Sequence, residues 1–138
     1  MTHSSIAVMI KIASLEFDKL SNQMLSKYDL TSSQFKVLKF LLKRPELNIR
    51  QIDIEKFFSM TNPTVTGILQ NLEKKQMIER VQNPLDCRSK VIRLTKKVYT
   101  IKDELIKMGD DIEAQFTQNL SQEEKEQLKM LLKKILGE

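Results

Sequence analysis

The chain has 138 residues, 41% of them apolar and 30% charged, with a net charge of +5 at neutral pH. That is enough chain for one ordinary domain with a core, and three Gly and three Pro leave room for long helices. A single cysteine, Cys87, and a single histidine, His3, exclude an intrachain disulfide and a structural zinc site built from one chain, which takes about four such ligands.

No apolar run approaches the roughly 20 residues of a membrane span, and the N-terminus lacks the charged-then-apolar pattern of a signal peptide, so a cytoplasmic protein without membrane contact is expected. The charge is unevenly spread. Residues 1–44 hold seven basic and three acidic groups, residues 45–99 ten and six, and residues 100–138 six and nine. A basic middle joined to an acidic C-terminal arm suggests a localised reading head, not a uniformly adhesive cation.

In chain order, Ile6, Ile10, Ala13, Phe17, Leu20 and Met24 recur at helical spacing and mark one stripe of an amphipathic helix. His3 falls in a loose tail ahead of it. Thr31 and Gln34 fit a capping box, with Leu30 and Phe35 as its hydrophobic staple. The helix that follows buries Phe35, Leu38, Leu41 and Leu42 and ends before Pro45. Residues 51–58 read as a short helix with Ile52, Ile54 and Phe57 or Phe58 inward. After the tight connection Ser59-Met60-Thr61, Asn62 is expected to cap the next helix, with Pro63 at its first position.

That next helix has a buried stripe of Val65, Ile68, Leu69 and Leu72. At 100° per residue its opposite side carries Pro63, Gly67, Gln70 and Lys74, flanked by Thr64, Thr66 and Asn71. A small, polar outward face can enter a groove and hydrogen-bond there. Met77–Gln82 and Lys90–Leu94 then form a hairpin around the turn residues 83–86. Between Lys74 and Lys97 stand eight Lys or Arg against only Glu79 and Asp86. A polar helix followed by a positive hairpin fits DNA, the helix in the major groove and the hairpin against the backbone and minor groove.

Thr95 is expected to cap a long helix through about Phe116, with Val98, Ile101, Leu105, Met108 and Ile112 inward. Gly109 in its middle costs roughly 1 kcal/mol relative to Ala and suggests a bend. Ser121 and Glu124 form another capping box, and the last helix should bury Leu128, Leu131, Leu132 and Ile135. Phe17, Phe40 and the methionines are expected in the core. The terminal stripes exceed what one small domain can hide, so a second copy is expected to cover them.

Several motifs, in order and with matching gaps, resemble the multiple antibiotic resistance regulator (MarR) family. The segment from Leu30 to Leu38 is similar to the opening of that family's second helix. The segment from Thr61 to Lys75 is similar to its recognition helix, and Ile78-Glu79-Arg80 to its first wing strand. Asp86-Cys87-Arg88-Ser89-Lys90, followed by residues 91–95, is similar to its wing signature. The match covers about residues 5–136.

The resemblance implies a mainly α fold with a small β-hairpin wing: a winged helix-turn-helix flanked by dimerisation helices. It implies a single domain over 1–138, with the DNA-binding core at about 31–95 and the dimerisation helices at about 5–27 and 96–136. It further implies a homodimeric repressor or activator of transcription on a pseudo-palindromic operator of double-stranded DNA. Arg88 would enter the minor groove, held by Asp86, while Asn62, Pro63, Thr64, Thr66, Gly67, Gln70, Asn71 and Lys74 would serve the recognition helix and Ser89 and Lys90 the wing. A pocket for a small aromatic or lipophilic effector, between the reading domain and the dimer helices, is also implied, although no motif identifies its lining.

Two positions depart from the family pattern. Gly67 stands where a larger or basic side chain is common, leaving base readout to Thr, Gln and Asn and favouring A·T-rich sites. Gln76 stands where a helix-ending Gly is common and would be strained by roughly 1 kcal/mol in a left-handed C′ position.

Cys87 sits among cations that favour a thiolate, which suggests thiol-based redox sensing; the plainer reading is an exposed thiol at a variable wing position. A third reading is a winged-helix interaction module docking an acidic partner, but such a module should present aromatic or aliphatic anchors where this reading helix presents Thr, Gln and Asn. With no glycine-rich phosphate loop, no nucleophile elbow and no core His, no enzyme and no cofactor are expected.

Overall fold

Ser5 begins the part of the chain that the computed structural model describes, residues 5–138; His3 lies outside it. Helix α1 (Ile6–Leu25) ends in a 3-10 turn (Ser26–Tyr28) and a left-handed Asp29. Helix α2 (Ser32–Leu42) opens with the expected capping box: Thr31 Oγ1 accepts from Gln34 N, and Gln34 Oε1 accepts from Thr31 N, both at 3.2 Å. Both staple residues, Leu30 and Phe35, are buried.

Helices α3 (Gln51–Phe58) and α4 (Asn62–Lys74) form the helix-turn-helix, with Ser59 in the left-handed region between them. Strands β1 (Ile78–Asn83) and β2 (Asp86–Leu94) pair antiparallel with Ile78 opposite Leu94 and an irregularity between Gln82 and Asn83. The root of the hairpin is tied to the loop ahead of α3. Ile92 N donates to Ile49 O over 2.8 Å, and Arg93 donates to Leu47 O and Asn48 Oδ1. Helices α5 (Lys96–Thr100), α6 (Lys102–Phe116) and α7 (Gln122–Leu136) complete the chain.

The core is organised on α2. Its Val37 and Leu38 are fully buried, as are Leu25 from α1, Ile54 from α3, Val65, Leu69 and Leu72 from α4 and Val98 from α5. Leu105 and Ile112 of α6 close it from the other side. Each such side chain contributes about 1.5–3 kcal/mol by leaving water, so α4 is held rigidly by its inner stripe while its outer face stays free.

The structure corrects several expectations. Thr61, not Asn62, caps α4: its backbone is extended and its Oγ1 accepts from Thr64 N over 3.4 Å. Pro63 is then the second helical residue, still in the first turn, where a missing N–H leaves no intrahelical bond unmade. The helix expected over 95–116 is two helices, broken at Ile101 (φ −108°, ψ 15°). Thr95 does not cap with its side chain; its Oγ1 donates to Gln76 O over 2.6 Å and binds the root of α5 to the end of α4.

Gly109 marks no break, because α6 runs through it. It serves close packing instead: a Cβ at this position would lie 3.2 Å from Phe35 Cζ. In α3, Ile54 is buried but Ile52 and Phe57 are 40% and 58% exposed. Among the methionines, Met77 and Met108 are buried, whereas Met9 and Met130 are exposed.

The terminal stripes are not buried within one chain. Leu128, Leu131, Leu132 and Ile135 of α7 are 39–62% exposed, and Ile6 and Ile10 of α1 are 72% and 43% exposed. The capping box at Ser121 and the left-handed Gly137 nevertheless bound α7 at both ends. This helix is well formed locally but has an uncovered apolar face.

Candidate nucleic-acid interface

On α4 the inner stripe fixes which side chains face outward. Asn62, Pro63, Thr64, Gln70, Asn71 and Lys74 are exposed, Gly67 is half-buried, and a Cβ added at Gly67 would meet open space. The outward face is therefore shallow at its centre and polar along its flanks. No apolar anchor stands on it except Pro63.

Thr66 is half-buried and turned toward α3. Its Oγ1 accepts from Gln51 Nε2 over 2.9 Å. Gln51 Oε1 in turn accepts from Arg80 Nη1 (3.4 Å), and Arg80 Nε donates to Glu73 Oε1 (2.8 Å). One chain of side chains thus joins α3, both halves of α4 and β1. Asn62 is held as well, donating to Glu55 Oε2 over 3.0 Å. Sequence reasoning did not find Gln51, Glu73 or Arg80, because nothing local links a helix-opening Gln to a hydroxyl 15 residues later.

The C-terminal end of α4 closes in a left-handed turn. Gln76 has φ 59°, Gln76 N donates to Glu73 O, and Met77 N donates to Leu72 O, the pairing of a Schellman motif. Leu72 and Met77 are both buried beneath it. Lys75 ties this corner to α2: its Nζ donates to Gln34 Oε1 over 2.8 Å and also to the Asp29 carbonyl.

The wing tip is organised by Asn83, which is 7% exposed. Its Oδ1 accepts from Leu85 N and its Nδ2 donates to Ser89 Oγ, both at 3.0 Å. Ser89 Oγ in turn donates to the Asp86 carbonyl, so it serves the turn. Asp86 Oδ1 accepts from Arg88 N over 3.0 Å and lies 3.5 Å from Arg88 Nε. The Arg88 side chain, 94% exposed, therefore projects from a fixed base. Cys87, Lys90 and Leu85 are also exposed.

At the start of α3, burial raises the Asp53 carboxyl, but hydrogen bonds from Arg50 N and the Arg50 side chain and the charges of Arg50 and Lys56 outweigh it. Its pKa lies below the ordinary 3.8. Among the described residues no group of three His, Cys, Asp or Glu side chains gathers as a metal site. No helix there is long and apolar enough to cross a membrane.

This architecture matches known proteins. The MarR family model matches residues 30–90, from the staple ahead of α2 to the wing. The multiple antibiotic resistance protein MarR of Escherichia coli K12 is 33% identical over 129 residues, which are 93% of this chain and 88% of that relative. Staphylococcus aureus MepR, solved in complex with DNA, superposes with a TM-score of 0.86 at 31% identity over 98% of each chain. A cysteine-to-serine variant of E. coli MarR, solved with operator DNA, superposes with a TM-score of 0.83 at 32% identity over 95% of this chain and 93% of that one. The winged helix-turn-helix predicted from the sequence is thus the fold observed, and with these similarities spanning nearly its whole length, the chain belongs to the MarR family.

Proposed function

We propose that this DNA-binding transcription regulator works as a cytoplasmic homodimeric repressor that places two copies of α4 in successive major grooves of a pseudo-palindromic operator. The observation that carries the reading is the outward face of α4, polar and exposed, beside a wing whose Arg88, steadied by Asp86 at its base, is almost fully exposed to solvent. Gln70 and Asn71 suit adenine edges, Thr64 and Lys74 suit phosphates, and Arg88 suits the negative potential of a narrow minor groove. Half-sites should lie about one helical turn apart.

The dimer reading rests on the uncovered apolar faces of α1 and α7, which together leave Ile6, Ile10, Leu128, Leu131, Leu132 and Ile135 exposed in one chain. Covering them with a second copy removes this surface from water and sets the distance between the reading heads. An effector that changes that distance would release the operator. Relatives solved with DNA support this reading over a docking module.

The test is sedimentation equilibrium with DNA titration on the whole chain and on Leu131→Glu. The expected result is a dimer that loses both association and operator binding when a charge enters the α7 face. A monomeric wild type with undiminished operator affinity would reject the dimeric reading.

A further inference from the structure

Leu85, at the tip of the wing, is 85% exposed, the highest value of any large apolar side chain among the described residues. The next two, Ile6 at 72% and Leu136 at 71%, belong to α1 and α7, the helices left uncovered for a second copy. Leu85 lies on neither. Nothing in the fold calls for leucine at this place. Positive φ among the described non-glycine residues is confined to Asp29, Ser59 and Gln76, so the turn sets no special backbone demand. Turns ordinarily carry polar residues, and Leu85 belongs neither to the core nor to the apolar side chains packed against it.

The tip nevertheless presents this side chain from a fixed base. Pro84 locks its own φ and restricts Asn83 before it. Asn83 Oδ1 accepts from Leu85 N, and Asn83 Nδ2 donates to Ser89 Oγ, both over 3.0 Å. Little ordering therefore remains to be done when the tip meets a partner. The surroundings are cationic: Arg88 is 94% exposed and Lys90 is exposed, against Asp86 alone, which already lies 3.5 Å from Arg88 Nε. Pro84 and Leu85 by themselves are too small an apolar patch for a stable protein interface. A DNA minor groove offers what they fit: negative potential for the cations, and apolar deoxyribose faces along both walls, which a narrow groove brings together.

We propose that Leu85 is a specificity-determining residue of the wing, packing against the deoxyribose walls of the minor groove beside Arg88 and so favouring a narrow, A·T-rich groove. Leucine is among the apolar side chains that minor-groove binders insert. Arg88 takes the potential of the groove and Leu85 takes its width, so the wing reads shape through two side chains of different physics. The two contributions are separable. Neutralising phosphate releases counterions and gives salt dependence, whereas burying an apolar side chain does not. This role rests on the wing entering the minor groove, as the proposed function has it.

The test uses the whole chain and, as probe, the symmetric duplex it selects from its own genome, in versions carrying an A-tract or a G·C run in the minor groove adjoining each half-site. Fluorescence anisotropy over a range of salt concentrations gives affinity and salt slope, after thermal melting shows that each variant keeps the wild-type melting temperature. Leu85→Ser should bind the A-tract duplex about tenfold more weakly, the loss expected when a leucine side chain is no longer buried. Its salt slope should be unchanged, and its preference for the A-tract over the G·C run should shrink. Leu85→Met, of similar apolar bulk, should bind like wild type. Arg88→Ala should instead flatten the slope. Undiminished affinity in Leu85→Ser would overturn the proposal and leave the DNA reading intact. So would a Leu85→Met as weak as Leu85→Ser, or a loss in Leu85→Ser that comes with a flattened slope. A wild type that selects no duplex would overturn both.

Discussion

Gln51 Nε2 lies 2.9 Å from Thr66 Oγ1, so the first helix of the helix-turn-helix grips the second through a side chain that also accepts from Arg80 of the wing. The rotation of α4 about its own axis, which decides where Gln70 and Asn71 point, is therefore held by a bond outside the apolar core as well as by the buried inner stripe. Thr66, expected from its flanking position to face DNA, is instead partly committed to the protein.

Thr66→Val keeps the side-chain shape and removes the acceptor. It should cost about 0.5–1.5 kcal/mol, the net worth of one hydrogen bond, in urea unfolding. It should also lower operator affinity by more than the wild-type salt dependence explains. Unchanged stability and unchanged affinity would mean that the inner stripe alone orients α4.

Arg88→Ala and Lys90→Ala remove exposed cations from the wing. Each should weaken DNA binding and reduce the slope of log affinity against log salt by about one for each phosphate it no longer neutralises. Fluorescence anisotropy over a range of salt concentrations reads both quantities. Parallel salt plots at undiminished affinity would remove the wing from the interface.

Gln76 occupies the left-handed C′ position with φ 59°. A side chain there costs roughly 1–2 kcal/mol, partly offset because glycine gains more freedom in the unfolded chain, by roughly 0.5–1 kcal/mol. Gln76→Gly should raise the melting temperature, with a net gain of up to about 1.5 kcal/mol on those figures. A lower melting temperature would show that the turn closing α4 depends on the glutamine itself.

Asp18 joins α1 to the start of α2: its Oδ1 accepts from Ser32 Oγ (2.8 Å) and Lys36 Nζ (2.9 Å). Burial raises its pKa, but these two hydrogen bonds and the charges of Lys36 and Lys11 outweigh that, and the value lies below the ordinary 3.8. A lowered carboxylate stabilises the fold above its unfolded pKa, and that contribution fades as pH falls through the folded value. Asp18→Asn should therefore melt lower than wild type at neutral pH, with the gap closing below about pH 4. A gap that persists unchanged into strong acid would place the effect in packing.

Most of the reading head was legible because its signals are local. The Thr31–Gln34 box, the Leu30–Phe35 staple, the buried stripe of α4 and the left-handed Gln76 each depend on residues a few positions apart. The cap of α4 was displaced by one residue because Thr61 and Asn62 are both good caps, and only the extended backbone of Thr61 decides between them. The break at Ile101 left no trace, since the apolar stripe from Val98 to Ile112 continues across it without Gly or Pro at the break. Phe57 was ambiguous because two turns of helix cannot fix a face among four apolar candidates, and its true environment involves Arg44 of another segment. The stripes of α1 and α7 were read correctly as apolar, but a single chain offers nothing to cover them.

The most direct measurement of the central claim is selection of bound fragments from the genome that encodes this chain, at about physiological salt. The expected result is a two-fold symmetric sequence upstream of a few genes, with half-sites about one helical turn apart. Enrichment should collapse for Gln70→Ala and Asn71→Ala. Uniform recovery of all fragments, or enrichment indifferent to both substitutions, would contradict base reading by α4.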